Sequence, residues 1–262
     1  MILPEKSPLI IGHRGASAVA PENTLASFAR AFEDGADGIE FDVRLARDGV
    51  PVVIHDPSLL HTGLRRARVP KVTSARLGQI DVGSWFNRSH RRLARLQFTR
   101  QTVPTLDEVF RLIARQPRQD LVAYVELKTV RKKTLNDWLV EAVVEVIRRH
   151  NFQSRVIVIS FNLAAVAKVK ELDPSLHTGA LFGPRQRATK SARRIVAAAL
   201  DCGAAEILVH HLIAKPKLLA IASEARLRPV VWTVEDPNWL KRAPAAGVRA
   251  LMTNNPAKML GR

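Results

Sequence analysis

The amino-acid sequence predicts a closed (β/α)₈ barrel, and three observations support this fold class. Short runs rich in β-branched residues alternate with amphipathic stretches along nearly the whole chain. Eight such strand–helix units fit into about 250 residues, the usual length of this barrel. No glycine-rich dinucleotide-binding turn opens any unit, so a doubly wound open sheet is the second choice. A chain of 262 residues, 47% hydrophobic and 25% charged, is also long enough to bury a full core.

The eight predicted strands are short apolar runs that turn-forming residues separate from their neighbours. They are Leu9–Gly12, Gly38–Val43, Leu121–Glu126, Val156–Ser160, His177–Leu181, Glu206–Val209, Pro229–Val234 and Ala250–Met252.

The predicted helices lie between these strands, and several begin with recognisable capping residues. Asn23-Thr24 can cap the first helix, Thr105 precedes an acidic first turn, and Asp236-Pro237 opens a later helix. The predicted helices are Thr24–Glu33, Thr105–Arg115, Leu135–Arg149, Leu163–Leu172, Ala188–Leu200, Pro216–Ala225, Asn238–Ala243 and Pro256–Leu260.

One segment interrupts this alternation. The stretch from Pro57 to Val103 is too long for a simple loop in a barrel. We therefore expect a single domain, residues 1–262, with an insertion at about 57–103 after the second barrel strand region, folded over the mouth of the active site. Trp85 and Phe86 are expected to form the insertion's own core.

The chain is strongly basic, with 41 Lys and Arg against 24 Asp and Glu and a net charge of +17. Much of the excess lies between His61 and Arg100, where Asp81 is the only acidic residue. Such a charge favours contact with anionic lipid surfaces, nucleic acid or acidic substrates, but a solvated basic face has the same composition. The basic residues of this stretch are Arg65, Arg66, Arg68, Lys71, Arg76, Arg88, Arg91, Arg92, Arg95 and Arg100.

Composition also indicates the cellular compartment. No apolar run approaches the ~20 residues that a membrane-spanning helix needs. Residues Met1–Pro8 lack a signal-peptide pattern, and the single cysteine, Cys202, cannot form an intrachain disulfide. These features favour the cytoplasm, with Cys202 chemically inert.

Polar residues gather where the predicted strands end, which is where (β/α)₈ barrels place their active sites. Glu40 and Asp42 are two residues apart, so both side chains point to the same side of a strand, and Glu126 and Lys128 share that spacing. His55 ends an additional strand-like run. The whole strand-end set is His13, Arg14, Glu40, Asp42, His55, Glu126, Lys128 and Trp232.

These residue types suit a metal ion and a phosphate group. An all-carboxylate oxygen site favours Mg²⁺ or Ca²⁺ over zinc. Arg14 and Lys128 can bring positive charge to a phosphate. His13 and His55 titrate near neutral pH, so they can serve as acid and base.

The sequence resembles the glycerophosphodiester phosphodiesterase family over nearly its whole length. The first block of the resemblance, from Gly12 to Asp56, is the most specific. The matching motifs are Gly12-His13-Arg14-Gly15, Pro21-Glu22-Asn23-Thr24, Gly35 to Val43, Asp48-Gly49, Val52 to Asp56, Asp81 to Phe86, Val103 to Glu108, Val125 to Lys128, Ser160-Phe161 and Val231 to Val234.

The resemblance implies an enzyme that releases glycerol 3-phosphate and an alcohol through a cyclic phosphate. The implied roles are an acid–base pair of His13 and His55, a metal site of Glu40, Asp42 and Glu126, phosphate contacts from Arg14 and Lys128, and packing of Trp232 against the alcohol portion. The implied partner is a small glycerophosphodiester. An anionic membrane surface is a further expected partner, and nucleic acid is disfavoured.

Two positions depart from the family pattern, because Arg249 and Asn254 stand where the family usually has acidic residues. Two alternative functions also stay open, and the basic insertion and the net charge of +17 are the reasons for them. One is a phosphodiesterase for lysophospholipids or other lipid diesters at anionic membranes, and the other is a non-enzymatic binder of polyanions.

Overall fold

A nine-stranded sheet forms the centre of the protein, and eight of its strands run parallel and close into a barrel. The computed structural model describes residues 7–185 and 191–262. The first strand pairs with both the second and the last, which closes the circle and confirms the predicted fold class. The strands are β1 (Leu9–His13), β2 (Gly38–Leu45), β3 (Pro51–Val53), β4 (Val122–Leu127), β5 (Val156–Ser160), β6 (His177–Phe182), β7 (Glu206–His210), β8 (Arg228–Trp232) and β9 (Ala250–Thr253).

The ninth strand, β3, lies outside the closed barrel and pairs antiparallel with the end of β2, where Val43 faces Val53. The backbone N–H of Ile54 donates to the carbonyl oxygen of Asp42 at 2.8 Å. This hairpin carries the following residue, His55, to the carboxyl end of β2.

The helices follow the strands as predicted, with small differences at their ends. The helix predicted to begin at Leu135 begins at Lys133, and β8 ends at Trp232, before Val234. Part of the predicted helix Ala188–Leu200 lies outside the described residues. The described helices are α1 (Leu25–Glu33), α2 (Ser74–Leu77), α3 (Ser84–Ser89), α4 (Leu106–Ala114), α5 (Lys133–Arg149), α6 (Leu163–Leu172), α7 (Ala192–Asp201), α8 (Pro216–Glu224), α9 (Asn238–Arg242) and α10 (Pro256–Met259).

Side-chain caps fix where two of these helices begin. The hydroxyl of Thr24 accepts a hydrogen bond from the backbone of Ser27 at the start of α1. At the start of α4, Thr105 and Glu108 form a capping box in which each side chain bonds the other residue's backbone N–H. Both caps are the predicted residues, and each helix begins one residue after the predicted start.

The hydrophobic core has an inner and an outer layer. Inside the barrel, Tyr124 and aliphatic side chains fill the centre, and the Tyr124 hydroxyl donates to Glu206 at 2.8 Å. Outside it, one apolar cluster joins β2, β4 and β5 to α1, α4 and α5, and a second joins β6 to β9 to α7 and α8. The barrel is thus packed, and space for a ligand lies at its carboxyl end.

The long segment between β3 and α4 folds as α2, α3 and three single-turn 3₁₀ helices. Leu59, Leu77 and Ile80 pack with Val52 of β3 in one small core. Phe86 is 1% exposed and packs inside a second small apolar core, as predicted for an aromatic residue of the insertion. No helix within residues 7–185 and 191–262 has both the length and the hydropathy to cross a bilayer.

Candidate active site

The register of the parallel strands brings the predicted polar residues together. His13 on β1 stands beside Glu40 on β2, and Asp42 on β2 stands beside Glu126 on β4. Lys128 follows the end of β4. Residues far apart in sequence therefore meet at the carboxyl end of the barrel.

Glu40, Asp42 and Glu126 form a buried carboxylate cluster, with one oxygen atom from each lying within 4.8 Å of the others. Burial and the charge of Asp42 hold the pKa of Glu40 well above its ordinary value, and burial raises the pKa of Glu126 to about 7. Among the described residues, Glu40 Oε1 is buried with no hydrogen-bond donor. A divalent cation would relieve both the repulsion and the missing contact, and three carboxylates suit Mg²⁺ or Ca²⁺.

Two basic side chains border this cluster. Lys128 Nζ lies 2.9 Å from Asp42 Oδ1 and 2.5 Å from Glu126 Oε1, and Arg14 Nε lies 3.3 Å from Asp42 Oδ2. Burial alone would raise the pKa of Asp42, but Lys128 and Arg14 outweigh it and hold that pKa well below its ordinary value. Asp42 is therefore the carboxylate that stays charged.

The loop after β1 holds Arg14 in place. Its backbone N–H donates to Glu40 Oε2 at 3.1 Å, and its guanidinium donates to both oxygens of Glu22 at 3.1 and 3.2 Å. The amide of Asn23 donates to Asp42 Oδ2 at 2.7 Å. Arg14 and Asn23 both have positive φ angles, 56° and 57°, so the loop turns sharply at each of them.

His13 lies between the carboxylate cluster and the last strand. Its Nδ1 is 2.7 Å from Asn254 Oδ1, and its Nε2 is 3.8 Å from Glu40 Oε2. The hydroxyl of Ser17 also lies 3.0 Å from Asn254 Oδ1. Burial, followed by the charge of Arg14, lowers the pKa of His13 to about 4, so the ring is neutral at pH 7.

His55 occupies the other side of the site and is one-third exposed. Its Nδ1 lies 2.8 Å from Asp56 Oδ1, and its carbonyl oxygen accepts a hydrogen bond from Arg44 Nε at 2.8 Å. Burial is the main cause of its lowered pKa. The two histidines therefore both favour the neutral form that can accept a proton.

A cavity of about 240 Å³ opens between these groups. Phe161 packs edge-to-face against Trp232 with ring centroids 5.6 Å apart, and the indole Nε1 of Trp232 has no partner among the described residues. Asp42 is the one predicted site residue that does not line the cavity; it lies beneath the surface, within the carboxylate cluster. The others all line it, namely His13, Arg14, Glu40, His55, Glu126, Lys128 and Trp232.

The sequence pattern does not reveal every residue of this cavity. Asn254 departs from the family pattern, but its contact with His13 joins residues 241 positions apart and has no local signal. The apolar wall consists of Ile159, Leu181 and Met252. Apolar residues alternate along β5, β6 and β9 as they do in the core of any barrel, so the sequence does not distinguish these three. The wall could be found only after the fold was known.

Comparison with known proteins gives concordant matches. The model of the glycerophosphoryl diester phosphodiesterase family matches residues 13–258. A glycerophosphodiester phosphodiesterase of Caldanaerobacter subterraneus subsp. tengcongensis is 32% identical over 253 residues, 96% of each chain.

Solved structures share the fold. A protein from Silicibacter pomeroyi is 30% identical with a TM-score of 0.84, over 98% of this chain and 92% of that one. A phosphodiesterase of Oleispira antarctica, solved in complex with its product sn-glycerol-3-phosphate, is 28% identical with a TM-score of 0.82, over 97% of this chain and 96% of that one.

Proposed function

The chain belongs to the glycerophosphoryl diester phosphodiesterase family, and from this premise we propose that it hydrolyses glycerophosphodiesters to glycerol 3-phosphate and an alcohol. The single observation that supports this most strongly is the buried carboxylate cluster, which two histidines and two basic side chains surround. The product bound to the Oleispira antarctica relative is consistent with the proposal.

We propose that Glu40, Asp42 and Glu126 hold a divalent metal ion, Mg²⁺ or Ca²⁺. Their shared burial and the raised pKa values of Glu40 and Glu126 support this assignment. When bound, the ion would supply positive charge to the phosphoryl oxygens. The three carboxylates would hold the ion, and Glu40 also lies 3.8 Å from the Nε2 of His13.

Arg14 and Lys128 are proposed to contact the phosphate. Each already faces Asp42, so each is held in place before the substrate arrives. Charge developing on the phosphoryl oxygens in the transition state is stabilised by groups that need no rearrangement. The resemblance implies that Trp232 packs against the alcohol portion of the substrate. Because Trp232 lines the cavity that holds both histidines, it is proposed here to pack against the glycerol.

His13 and His55 are proposed to exchange the protons of the reaction. One histidine removes the proton of the neighbouring glycerol hydroxyl, whose oxygen attacks phosphorus, while the other protonates the departing alcohol. Water then opens the cyclic phosphate with the two roles reversed. Both rings are neutral in the resting site or favour that form, so either can begin as the base, and the other must first take up a proton from solvent to serve as the acid.

The proposal is tested with a panel of water-soluble diesters, each assayed with Mg²⁺ and with Ca²⁺. We expect release of glycerol 3-phosphate from glycerophosphocholine and glycerophosphoethanolamine, and a loss of at least about 100-fold in kcat for His13→Ala. His90→Ala is the matched control, since His90 belongs to the long segment and does not line the cavity. Full activity of Glu40→Gln or His13→Ala would refute the assignment of the site.

Family membership favours an enzyme over a non-enzymatic polyanion binder. Four further points stay predictions: turnover of lipid diesters, contact with an anionic membrane, a preference against nucleic acid, and a cytoplasmic location. The most direct check of the lipid alternative is a comparison of turnover on glycerophosphocholine and on a lysophospholipid in anionic vesicles.

A further inference from the structure

A second cavity, of about 310 Å³, adjoins the candidate active site. Lys128 lines both cavities. The walls of the second cavity come from the β2–β3 hairpin, from the long segment after β3, and from the β4–α5 connection with the start of α5. It therefore lies at the carboxyl end of the barrel, next to Lys128, and Trp232 is not among its lining residues.

Three arginines line this second cavity, namely Arg44, Arg47 and Arg68, and no aspartate or glutamate is among its described lining residues. Arg44 is engaged with the carbonyl oxygen of His55. Arg47 and Arg68 are exposed, and within residues 7–185 and 191–262 neither side chain forms an ion pair or a hydrogen bond. Two free guanidinium groups beside a cavity favour an anionic ligand, because each can donate two hydrogen bonds to one carboxylate or phosphate.

The opposite wall is apolar and well supported. Trp138, 55% exposed, and Leu135 face the cavity from α5. Buried Asn136 holds the preceding loop by accepting from the N–H of Val130 at 2.7 Å and donating to its carbonyl oxygen at 2.8 Å. The cavity can thus pack the carbon skeleton of a ligand on one side while the arginines face its charge.

We propose that this cavity binds the leaving alcohol of the diester and selects alcohols that carry an anionic group of their own. The inference rests on the proposed function, in which Lys128 contacts the phosphate. Since Lys128 lines both cavities, a bound diester can extend one substituent into each. The attacking glycerol hydroxyl and the departing oxygen must both reach a histidine of the first cavity, so the glycerol occupies that cavity and the rest of the departing alcohol extends past Lys128 into the second.

Glycerophosphoserine and glycerophosphoethanolamine form the matched pair of probes, because they differ by one carboxylate on the leaving alcohol. We expect kcat/KM to be about fivefold higher for glycerophosphoserine, a modest preference because exposed ion pairs contribute little. In the double variant Arg47→Gln/Arg68→Gln, the ratio of kcat/KM for glycerophosphoserine to kcat/KM for glycerophosphoethanolamine should fall to about one. Each single variant should give an intermediate ratio.

The control is Arg91→Gln/Arg92→Gln, which removes the same charge from exposed arginines of a 3₁₀ helix that does not line the second cavity. This control should keep the wild-type ratio of the two kcat/KM values, since the long-range electrostatic field of the protein changes equally in both double variants. A wild-type ratio near one, or equal ratios in the two double variants, would overturn the inference.

Binding of both diesters to the metal-free protein, measured by calorimetry, separates this inference from the proposed function. One outcome is tighter binding of glycerophosphoserine that is lost in Arg47→Gln/Arg68→Gln, together with no hydrolysis of either diester in the presence of any metal ion. That outcome would support the proposed role of the second cavity and reject the proposed reaction. Hydrolysis of both diesters with no preference in binding or in turnover would support the proposed reaction and reject the proposed role of the second cavity.

Discussion

At the scale of single residues, the contact between His13 and Asn254 determines which ring nitrogen can take part in proton transfer. If Nδ1 carries the proton and donates it to Asn254 Oδ1, Nε2 is left with a free lone pair on the side of the carboxylate cluster. An amide oxygen performs this task without adding a fourth negative charge beside Glu40, Asp42 and Glu126. The family's usual acidic residue would add that charge.

Replacing Asn254 should therefore affect the rate more than substrate binding. We expect Asn254→Leu to lower kcat about 10- to 100-fold with little change in KM, because the ring of His13 loses its orientation. Steady-state kinetics measure both constants, and ¹⁵N NMR of the His13 ring reports its tautomer directly.

Asn254→Asp is the companion variant. It keeps the acceptor oxygen, so it should retain the Nδ1–H tautomer and recover most of the lost kcat. An Asn254→Leu enzyme with normal kcat, or with an unaltered ring tautomer, would show that this contact is merely structural.

The same residues show what sequence reasoning could reach at this scale. His13, Glu40 and Asp42 were predictable because each sits within a few residues of a strand end, and strand ends meet in a barrel. The role of Asn254 was not, because it depends on how one loop folds against the first strand. The second cavity was equally inaccessible, since Arg47, Arg68 and Trp138 belong to three separate pieces of chain.

At the scale of elements, the strands were predictable because they are buried on both faces and read as continuous apolar runs. Helix starts followed their capping residues. Helix ends and the interior of the long segment were harder, because short 3₁₀ turns depend on contacts with their surroundings.

The capping box of α4 offers a test of local energetics. Thr105→Ala removes the acceptor of the Glu108 N–H, and we expect it to lower the free energy of unfolding by about 1 kcal/mol. Urea denaturation measures this value, with activity at permissive temperature unchanged.

Thr134→Ala is the matched control, an exposed threonine within the first turn of α5. Its effect should stay within about 0.5 kcal/mol. Equal losses in the two variants would mean that the capping box does not stabilise α4 specifically.

At the scale of the whole molecule, the carboxylate cluster connects metal binding to stability. The cluster joins β2 and β4 and exists only in the folded barrel, so a divalent ion should bind the folded state alone. At a concentration about 100 times Kd, such binding adds about 2.7 kcal/mol. For a protein of this size we expect the melting temperature to rise by about 5–10 °C.

Scanning calorimetry with and without Mg²⁺ or Ca²⁺ measures this rise, and a chelator should reverse it. Glu126→Gln should reduce the shift strongly, whereas Glu141→Gln, an exposed residue of α5, should leave it intact. A shift that survives Glu126→Gln unchanged would place the ion elsewhere.

The two outer apolar clusters divide the barrel into two halves, and this division has a consequence for how the enzyme can diversify. Glu40, His55, Glu126 and Lys128 belong to β2, β4 and the β3 hairpin, on the side of the first cluster, whereas His13 and Arg14 lie at the end of β1, whose Ile10 packs in the second cluster. Strands β6 to β9 and the residue after β9 contribute Trp232, Asn254 and the apolar side chains of Leu181 and Met252 at the reacting centre. Mutations in β6 to β9 can therefore accumulate with little penalty to the attack on phosphorus, provided that the barrel still closes and those four side chains keep their positions.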